Sequence, residues 1–575
     1  MSDRDCDTIG RRLIGSCLAA AGAALLSCVS TFAPAADADS AWSSYGGTLA
    51  NTRYSALDQI NDRNVSGLKV AYSLQLGSLS GQESTPIVID DTMYVASSFG
   101  PQNLFAIDAR TGEIKWQYHS EMPDDVWAYA CCDPVTRGVA YDSGTVFVGR
   151  LDGLLAALDA KTGKELWRSK IVDYKDGATI TSPPIYAHGI LITGYAGGEL
   201  GVRGALVGIE ARSGKELWRT YMTALKNEPE GDTWKGDSAK HGGGDAWNVG
   251  SYDQKTDTVL WGTGNPAPRN PLVRGPGTPD WGRYSNSYTA GTIALEPATG
   301  KIKWFYQHTP ADVWDFDSTG EVVLADLNIK GKIVPTYMKA DKNGFFFVVN
   351  RETGEFISAD PFVNVTWAKA FDRQRGVPIV NPDKYPTKEH EVTETCPSSI
   401  GGKGWQPMAY NPNLGLAYIP ANNLCMDIRL SNALRFKRGG LYLGEEEDLR
   451  PGPGGFGGEI EAWDPVKRQK IWSVKQEFPC NGGTMTTAGN LVFFGDWRGV
   501  FHALNAKTGE DLWRFNMGSS ITAGAITYQV SGRQYVAVVA GRSTALPRFV
   551  GGELGERMEA ATAEGGVLTV FALGG

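Results

Sequence analysis

Residues 104–116 read LFAIDARTGEIKW, and copies of this phrase return along the chain. The copies share an acidic residue or Asn, a Gly four positions later and a Trp four positions after that. Four further copies keep all three features: LAALDAKTGKELW (155–167), LVGIEARSGKELW (206–218), TIALEPATGKIKW (292–304) and FHALNAKTGEDLW (501–513). Two copies are degenerate: IEAWDPVKRQKIW (460–472) lacks the Gly, and FFVVNRETGEFIS (346–358) lacks the Trp. This recurrence indicates a repeated supersecondary unit.

Each copy is predicted to form two strands joined by a tight turn. Alternating apolar residues run into a turn in which the Gly is free to adopt a positive φ. The returning strand ends in a Trp that can pack on a neighbouring sheet. One hairpin cannot bury both of its faces, but four-stranded blades around an axis can. Seven copies, a first blade over 67–97 and a C-terminal strand over Val567–Leu573 predict an all-β, eight-bladed β-propeller with tryptophan-docking repeats.

Composition agrees with this fold class and excludes several functions. The 575 residues include 71 Gly, which is about 12% of the chain against the usual ~7% and favours turn-rich β-structure. A net charge of −9 argues against a nucleic-acid partner. No apolar run after the N-terminal segment is long enough for a membrane span. Neither a dinucleotide fingerprint nor a C-x-x-C-H haem motif is present.

The first 38 residues are predicted to be a signal peptide, and 39–575 a single propeller domain. Two arginines precede an apolar stretch over 13–32, which is followed by a small-residue cleavage region. A Sec signal is favoured over a twin-arginine signal. Export predicts a periplasmic protein in a disulfide-permissive compartment. Five cysteines then remain, an odd number that leaves one thiol unpaired.

A series of phrases outside the repeat resembles the quinoprotein alcohol dehydrogenases, which use pyrroloquinoline quinone (PQQ). The phrases follow one another along the chain in the same order as in that family. These phrases are GQESTPIV (81–88), AYACCDPVTRG (128–138), ATITSPP (178–184), GGELGVRG (197–204), GGGDAWN (242–248), GTGNPAPRN (262–270), TPADVWDFD (309–317) and ADKNGFFFVVN (340–350). The resemblance covers nearly the whole mature chain. It implies oxidation of an alcohol to an aldehyde or ketone with PQQ as the cofactor.

The resemblance also implies which residues contact PQQ. A vicinal disulfide would lie on one face of the quinone and an indole on the other, while polar groups and a guanidinium would bind its oxygens. The residues at the matching positions are Glu83, Cys131, Cys132, Arg137, Thr181, Gly197, Gly198, Trp247 and Lys342. Adjacent free thiols are the other interpretation of Cys131-Cys132, which an oxidising compartment disfavours.

One metal ion is expected beside the quinone. The family pattern implies Glu199, Asn265, Asp315 and Asp317 as its ligands, with Asp315 also the catalytic base; hard cations prefer such oxygen ligands. Calcium-dependent members generally have a small uncharged residue at the position of Asp317, whereas lanthanide-dependent members have Asp. The sequence therefore favours a lanthanide(III) ion over Ca²⁺, with a calcium enzyme as the alternative.

Three further features follow from the resemblance. Cys396 and Cys425 are expected to form a second disulfide, which leaves Cys480 as the unpaired thiol. Cys480 stands where a Trp is usual, and Gly404 where an Asn is frequent. Both changes shrink side chains near the quinone, so a substrate bulkier than methanol is predicted.

The expected partners are an alcohol and a soluble cytochrome c-type electron acceptor. The sequence does not determine the oligomeric state, and a homodimer is compatible with it. A non-catalytic propeller that acts as an envelope scaffold is a further alternative. It is disfavoured because a scaffold has no need of Cys131-Cys132, Glu199, Asn265 and Asp315 together.

Overall fold

Strands dominate the computed structural model, which describes residues 41–99, 103–276, 283–388, 390–431 and 434–574. The predicted signal peptide over 1–38 lies outside the described residues. In the first half the strands are β1 (Tyr54–Ser55), β2 (Leu68–Gln75), β3 (Ile87–Ile89), β4 (Thr92–Ala96), β5 (Asn103–Asp108), β6 (Ile114–His119), β7 (Ala140–Asp142), β8 (Thr145–Gly149), β9 (Leu154–Asp159), β10 (Glu165–Lys170), β11 (Ile185–Ala187), β12 (Ile190–Thr193), β13 (Ala205–Glu210), β14 (Glu216–Tyr221), β15 (Ser251–Asp253), β16 (Thr258–Gly262), β17 (Gly291–Leu295) and β18 (Ile302–Gln307).

The second half continues in the same manner, and two of the three short α-helices of the described residues lie in it, whereas the first lies between β16 and β17. Its strands are β19 (Val323–Ile329), β20 (Lys332–Ala340), β21 (Phe345–Asn350), β22 (Phe356–Pro361), β23 (Ala368–Phe371), β24 (Pro378–Val380), β25 (Val392–Thr395), β26 (Ala409–Asn411), β27 (Leu416–Asn422), β28 (Leu424–Leu430), β29 (Glu445–Pro451), β30 (Gly458–Asp464), β31 (Gln469–Gln476), β32 (Met485–Thr487), β33 (Leu491–Gly495), β34 (Val500–Asn505), β35 (Asp511–Asn516), β36 (Ile526–Val530), β37 (Arg533–Ala540) and β38 (Val567–Leu573). The helices are α1 (Pro271–Arg274), α2 (Leu546–Val550) and α3 (Gly552–Ala561).

Within the described residues, eight sheets have four or more strands. Five of them are runs of four consecutive strands, from β3–β6 to β19–β22. The sheet β26-β27-β30-β31 contains an insertion, and the sheet β32–β35 gains β1 as a parallel edge strand. The last sheet pairs β2 with the C-terminal β38, so that the two ends of the described chain share one sheet. The all-β prediction is confirmed.

The repeat phrases form hairpins for the predicted local reasons. In the second copy, Asp159 Oδ1 accepts hydrogen bonds from Lys161 N (3.1 Å) and Thr162 N (2.8 Å), and Gly163 has a φ of 71°. Inner strands such as β9 are buried along most of their length, whereas the outer strand β10 alternates half-buried and exposed residues. The sheets therefore pack side by side through their inner strands.

Four of the repeat tryptophans connect their sheet to the following one. Four indole N–H groups donate to a carbonyl oxygen in the next sheet's turn: Trp116 to Ala160 (2.9 Å), Trp167 to Ala211 (3.0 Å), Trp218 to Pro297 (3.0 Å) and Trp472 to Ala506 (3.2 Å). The turn glycine of the next copy lies against the same indole, because a Cβ at Gly163 would approach Trp116 to 2.6 Å.

This contact predicts that Gly163→Ala is more destabilising than an equivalent change elsewhere. Both Gly163 and Gly189 have a positive φ, but no atom lies within 4 Å of a Cβ at Gly189. Each alanine costs about 1 kcal/mol in backbone strain, and overpacking against Trp116 should add about 1–3 kcal/mol at Gly163. Urea denaturation of both variants measures the difference in the free energy of unfolding. Equal losses would show that the indole contact contributes nothing.

Candidate active site

Three carboxylates from two loops that follow strand ends come together. One ligand oxygen from each of Glu199, Asp315 and Asp317 lies within 4.8 Å of the others. Glu199 follows β12, and the two aspartates follow β18. A cavity of 500 Å³ that is lined by Tyr45 and Tyr252 among others contains none of these three residues. The candidate site is therefore identified by the carboxylates and not by this cavity. The sequence prediction that these three residues meet is supported by this geometry.

The loop that carries Asp315 is held by its own neighbours. The Asp312 carboxylate accepts hydrogen bonds from Trp314 N (3.0 Å) and Phe316 N (2.7 Å), and both aromatic rings pack on Trp367. Asp315 itself has a φ of 61°, a left-handed conformation that is uncommon for a non-glycine residue and is found at functional sites. The contacts of Trp314 and Phe316 therefore fix the backbone on both sides of Asp315, whose side chain lies in the acidic cluster.

Glu199 is placed by a tight glycine turn. It sits in the short 3₁₀ turn Gly198–Leu200, and its backbone oxygen accepts a hydrogen bond from Tyr442 N at 2.7 Å. Gly197 before it has a φ of 130°, and a Cβ there would overlap a backbone carbonyl. The phrase GGELG thus makes a loop that only glycine permits, and this loop directs Glu199 to the cluster.

Asn265 completes a set of oxygen donors suited to a cation. It follows β16, and its Oδ1 is buried without a hydrogen-bond partner among the described residues; the same holds for Asp315 Oδ1. Buried oxygens of this kind are normally paired. Carboxylate and amide oxygens are the ligands that hard cations prefer, so the residues present fit a metal ion.

Asp317 is a hydrogen-bond acceptor as well as a member of the cluster. Its Oδ1 accepts from Asn265 N at 2.6 Å, and its Oδ2 accepts from Trp247 Nε1 at 3.2 Å. Lys342 Nζ lies 3.6 Å from Asp317 Oδ2 and 3.3 Å from Asp315 Oδ2. Asp317 therefore contacts Asn265, Trp247 and Lys342, and Lys342 also contacts Asp315.

Burial and charge act in opposite directions on the carboxylates. Burial raises the pKa of Asp315 well above its usual value, while Arg269 and Lys342 oppose this. Burial also raises the pKa of Glu199, and the negative charge of Asp317 adds to the effect. In turn, the carboxylates raise the pKa of Lys342 despite its burial. A positive ion among these groups would favour their charged forms.

Two charged residues of the cluster were missed by the sequence reasoning. Arg269 Nη2 lies 2.8 Å from Asp315 Oδ2, and its Nη1 lies 3.2 Å from Glu445 Oε1. Asp245 is buried, and its pKa is raised well above the usual value by burial and by Glu199 and Asp317. Arg269 is the only cation in GTGNPAPRN and Asp245 the only acid in GGGDAWN, which is the signal that could have identified them.

Four of the other predicted cofactor contacts, Glu83, Arg137, Thr181 and Trp247, form a second cluster next to the first. Arg137 pairs with Glu83 at 2.8 Å and donates from Nη1 to Thr181 Oγ1 at 2.9 Å. Thr181 Oγ1 donates to Trp247 O at 2.8 Å, and the Arg137 guanidinium lies 4.8 Å from the Trp247 ring centre. Trp405, which sequence reasoning did not single out, flanks the same guanidinium at 5.1 Å. Burial raises the pKa of Glu83 to about 7.

The cysteines pair as expected. Cys131 and Cys132 form a disulfide, and Cys396 is bonded to Cys425. Cys480 is a buried free thiol, and burial raises its pKa. The residue after the vicinal pair, Asp133, accepts hydrogen bonds from the segment Ser543–Ala545, so that the disulfide loop is fixed to the segment leading into α2.

The two sequence departures from the family are linked through one side chain. Gln406 Nε2 donates to Cys480 O at 3.0 Å. A Cβ at Gly404 would lie 2.9 Å from Gln406 Oε1. Gly404 and Cys480 therefore lie in the same part of the molecule.

Among the described residues, no helix combines the length and apolar character needed to cross a membrane.

Comparison with known proteins places the chain among redox enzymes. Residues 42–359 and 456–536 match the model of the PQQ glucose/ethanol/alcohol dehydrogenase β-propeller domain. Quinoprotein alcohol dehydrogenase PedH of Pseudomonas putida is 38% identical over 545 residues, which are 91% of this chain and 89% of that protein. Lanthanide-dependent methanol dehydrogenase of Methylacidiphilum fumariolicum is 38% identical over 524 residues, 87% and 84% of the two chains.

A solved structure gives the same result. A europium-containing methanol dehydrogenase superposes with a TM-score of 0.88 at 36% identity, covering 93% of this chain and 98% of that one. The predicted propeller class and the family resemblance are confirmed, and the scaffold alternative loses its support. The chain belongs to the quinoprotein family and is a PQQ-dependent alcohol dehydrogenase.

Proposed function

We propose that this enzyme is a periplasmic, lanthanide-dependent alcohol dehydrogenase that oxidises an alcohol bulkier than methanol and passes electrons to a soluble cytochrome c-type acceptor. One observation carries the proposal: Glu199, Asp315 and Asp317 lie within 4.8 Å of one another beside the unpartnered Asn265 Oδ1. The three negative charges of the carboxylates balance the charge of a trivalent ion and exceed that of a divalent ion, and the amide oxygen adds a neutral ligand.

PQQ would be held by the second cluster. Glu83, Arg137 and Thr181 offer polar groups, Trp247 an indole face, and the Cys131–Cys132 disulfide the opposing surface. The Gly197–Gly198 backbone allows close approach, and Lys342 can stabilise negative charge on a reduced quinone. When bound, PQQ supplies the two-electron acceptor for the alcohol's hydride.

The residues of this chain supply the proton chemistry. Asp315 accepts the hydroxyl proton of the alcohol as the hydride leaves its carbon, so the alcohol loses two electrons and two protons and becomes a carbonyl compound. Arg269, 2.8 Å from Asp315 Oδ2, holds the carboxylate in place and favours its charged form. The metal, held by Glu199, Asn265, Asp315 and Asp317, would supply Lewis acidity.

The remaining features of the proposal concern architecture and location. The eight large sheets are proposed to be the blades of one propeller over 39–575, with the Trp116-type indoles docking each blade on the next. A cleaved signal peptide over 1–38 and export to the periplasm agree with two disulfides in the fold. The small residues Gly404 and Cys480 support a roomy substrate pocket. A homodimer remains compatible with the chain.

One observation favours calcium as the alternative metal. Both oxygens of Asp317 already accept hydrogen bonds, from Asn265 N and Trp247 Nε1. Asp317 would then position Asn265 and the indole of Trp247 and would not bind the metal. The remaining ligands, Glu199, Asn265 and Asp315, carry a smaller negative charge, which suits Ca²⁺.

The test is reconstitution of metal-free protein with PQQ and either La³⁺ or Ca²⁺, followed by a dye-linked assay with small and bulky alcohols. Activity with La³⁺ and little with Ca²⁺ supports the proposal, and the preferred alcohol tests the pocket. Activity with Ca²⁺ alone establishes the alternative. Failure to bind PQQ with either ion overturns both.

A further inference from the structure

Asp245 is a fourth buried carboxylate beside the candidate metal site. Its side chain accepts hydrogen bonds at Oδ2 from Gly197 N (2.9 Å) and Gly198 N (3.1 Å). Its backbone oxygen accepts one from Gly264 N at 2.7 Å. Glu199 directly follows the first pair of glycines, and Asn265 directly follows Gly264. One residue therefore joins the two segments that carry two proposed metal ligands.

The second carboxylate oxygen of Asp245 lacks a partner. Asp245 is 1% exposed, and its Oδ1 is buried without a hydrogen bond within the described part of the chain. No lysine or arginine of that part forms an ion pair with it, since Lys342 and Arg269 pair with Asp315 and other acids. A buried carboxylate oxygen without a counter-charge is costly unless a cation compensates it.

This free oxygen faces the same space as Asp317. A Cβ at Gly198 would lie 2.8 Å from Asp245 Oδ1. A Cβ at Gly264 would overlap that oxygen and would lie 3.0 Å from Asp317 Oδ1. Two glycines therefore leave room for the Asp245 carboxylate directly behind the ligand set, and Asp317 Oδ1 borders the same glycine.

We propose that Asp245 is a positioning and charge-setting residue of the metal site. It holds the turn that carries Glu199. A bound cation favours the ionised form of its carboxyl group, which then adds a fourth negative charge and increases the preference for a trivalent ion. This inference rests on the proposed metal-dependent function. Asp245 lies outside the set of oxygens within 4.8 Å of one another, so it acts through charge and through Glu199 and Asn265 rather than as a direct ligand.

The size of the effect follows from Coulomb's law. The attraction between a carboxylate and an ion scales with the ionic charge, so the loss of one carboxylate changes the binding free energy of La³⁺ and Ca²⁺ in the ratio 3:2. If Asp245→Asn weakens La³⁺ binding about 100-fold, a loss common for residues behind metal ligands, the Ca²⁺ loss is about 20-fold. The preference for La³⁺ over Ca²⁺ should therefore fall about 5-fold.

The experiment titrates the full chain with PQQ present, using Tb³⁺ luminescence sensitised by nearby tryptophan, with La³⁺ and Ca²⁺ as competitors. Asparagine keeps an oxygen for the two glycine amides, and circular dichroism checks the fold. Asp245→Ser serves as a second variant. Glu461→Gln is the matched control. Glu461 lies on β30 and is a fully buried carboxylate, and its Oε2 lies 2.6 Å from Lys470 Nζ. The Glu461→Gln variant should bind La³⁺ and Ca²⁺ with the affinities of the wild type.

Each result decides the proposal. A larger loss for La³⁺ than for Ca²⁺ in the Asp245 variants supports it. An equal loss for both ions would show a purely structural role, and unchanged affinities would show none; either overturns the inference while leaving the proposed function intact. A wild-type chain that binds neither Tb³⁺ nor La³⁺ overturns the inference and the lanthanide proposal together.

Discussion

Asparagine in place of Asp315 should lower kcat for alcohol oxidation by about 10³-fold, within the range for loss of a general base. The amide has nearly the same shape but cannot accept the hydroxyl proton. Arg269 and Lys342, which lie 2.8 and 3.3 Å from Asp315 Oδ2, can still contact the amide oxygen, so the loop should keep its position. The measurement is the dye-linked kcat at saturating alcohol and metal, with PQQ content determined by absorbance.

The chain offers a matched control for this change. Asp464 caps a repeat turn by accepting from Val466 N and Lys467 N, and Asn505 makes the same contacts in another copy. Asp464→Asn should therefore leave kcat within about twofold, because Asn caps the equivalent turn at Asn505 and the contacts of Asp464 are to its own turn rather than to the site. If Asp315→Asn retained more than a tenth of the wild-type kcat at full PQQ content, the proton-accepting role would be wrong.

Removal of the charge of Asp317 should abolish activity supported by La³⁺ and weaken La³⁺ binding by about 100-fold. Two variants separate charge from hydrogen bonding. Asp317→Asn keeps an oxygen that can accept from Asn265 N, whereas Asp317→Ala loses the contacts to Asn265 and Trp247. If Asp317 binds the metal through its charge, both variants lose La³⁺ binding.

The opposite pattern would establish the calcium alternative. If Asp317 only positions Asn265 and Trp247, the Asn variant keeps its metal affinity and the Ala variant loses it. Metal content after dialysis against equal concentrations of La³⁺ and Ca²⁺ gives a readout that does not depend on turnover. Retention of La³⁺ by both variants would remove Asp317 from the site altogether.

Much of the architecture could be predicted because its causes are local. The Asp159 cap, the positive φ of Gly163 and the apolar run Leu155–Leu158 lie within a dozen residues, so a single repeat copy contains everything its hairpin needs. The pairing of Cys131 with Cys132 follows from adjacency and a resemblance. The site residues were predicted from the resemblance, since no periodicity points to redox chemistry.

The amino-acid sequence alone therefore determined the strand–turn–strand unit and the positions of the repeat Trp residues, and the family resemblance indicated Glu199, Asp315 and Asp317 as candidate ligands. Only the tertiary structure decided that Arg269 meets Asp315 and Glu445, that Asp245 lies behind Glu199, and that Trp405 covers Arg137. The partners in these contacts are 46 to 268 positions apart. Such contacts depend on how separate sheets bring their loops together. The sequence of one loop does not indicate which distant loop it will contact.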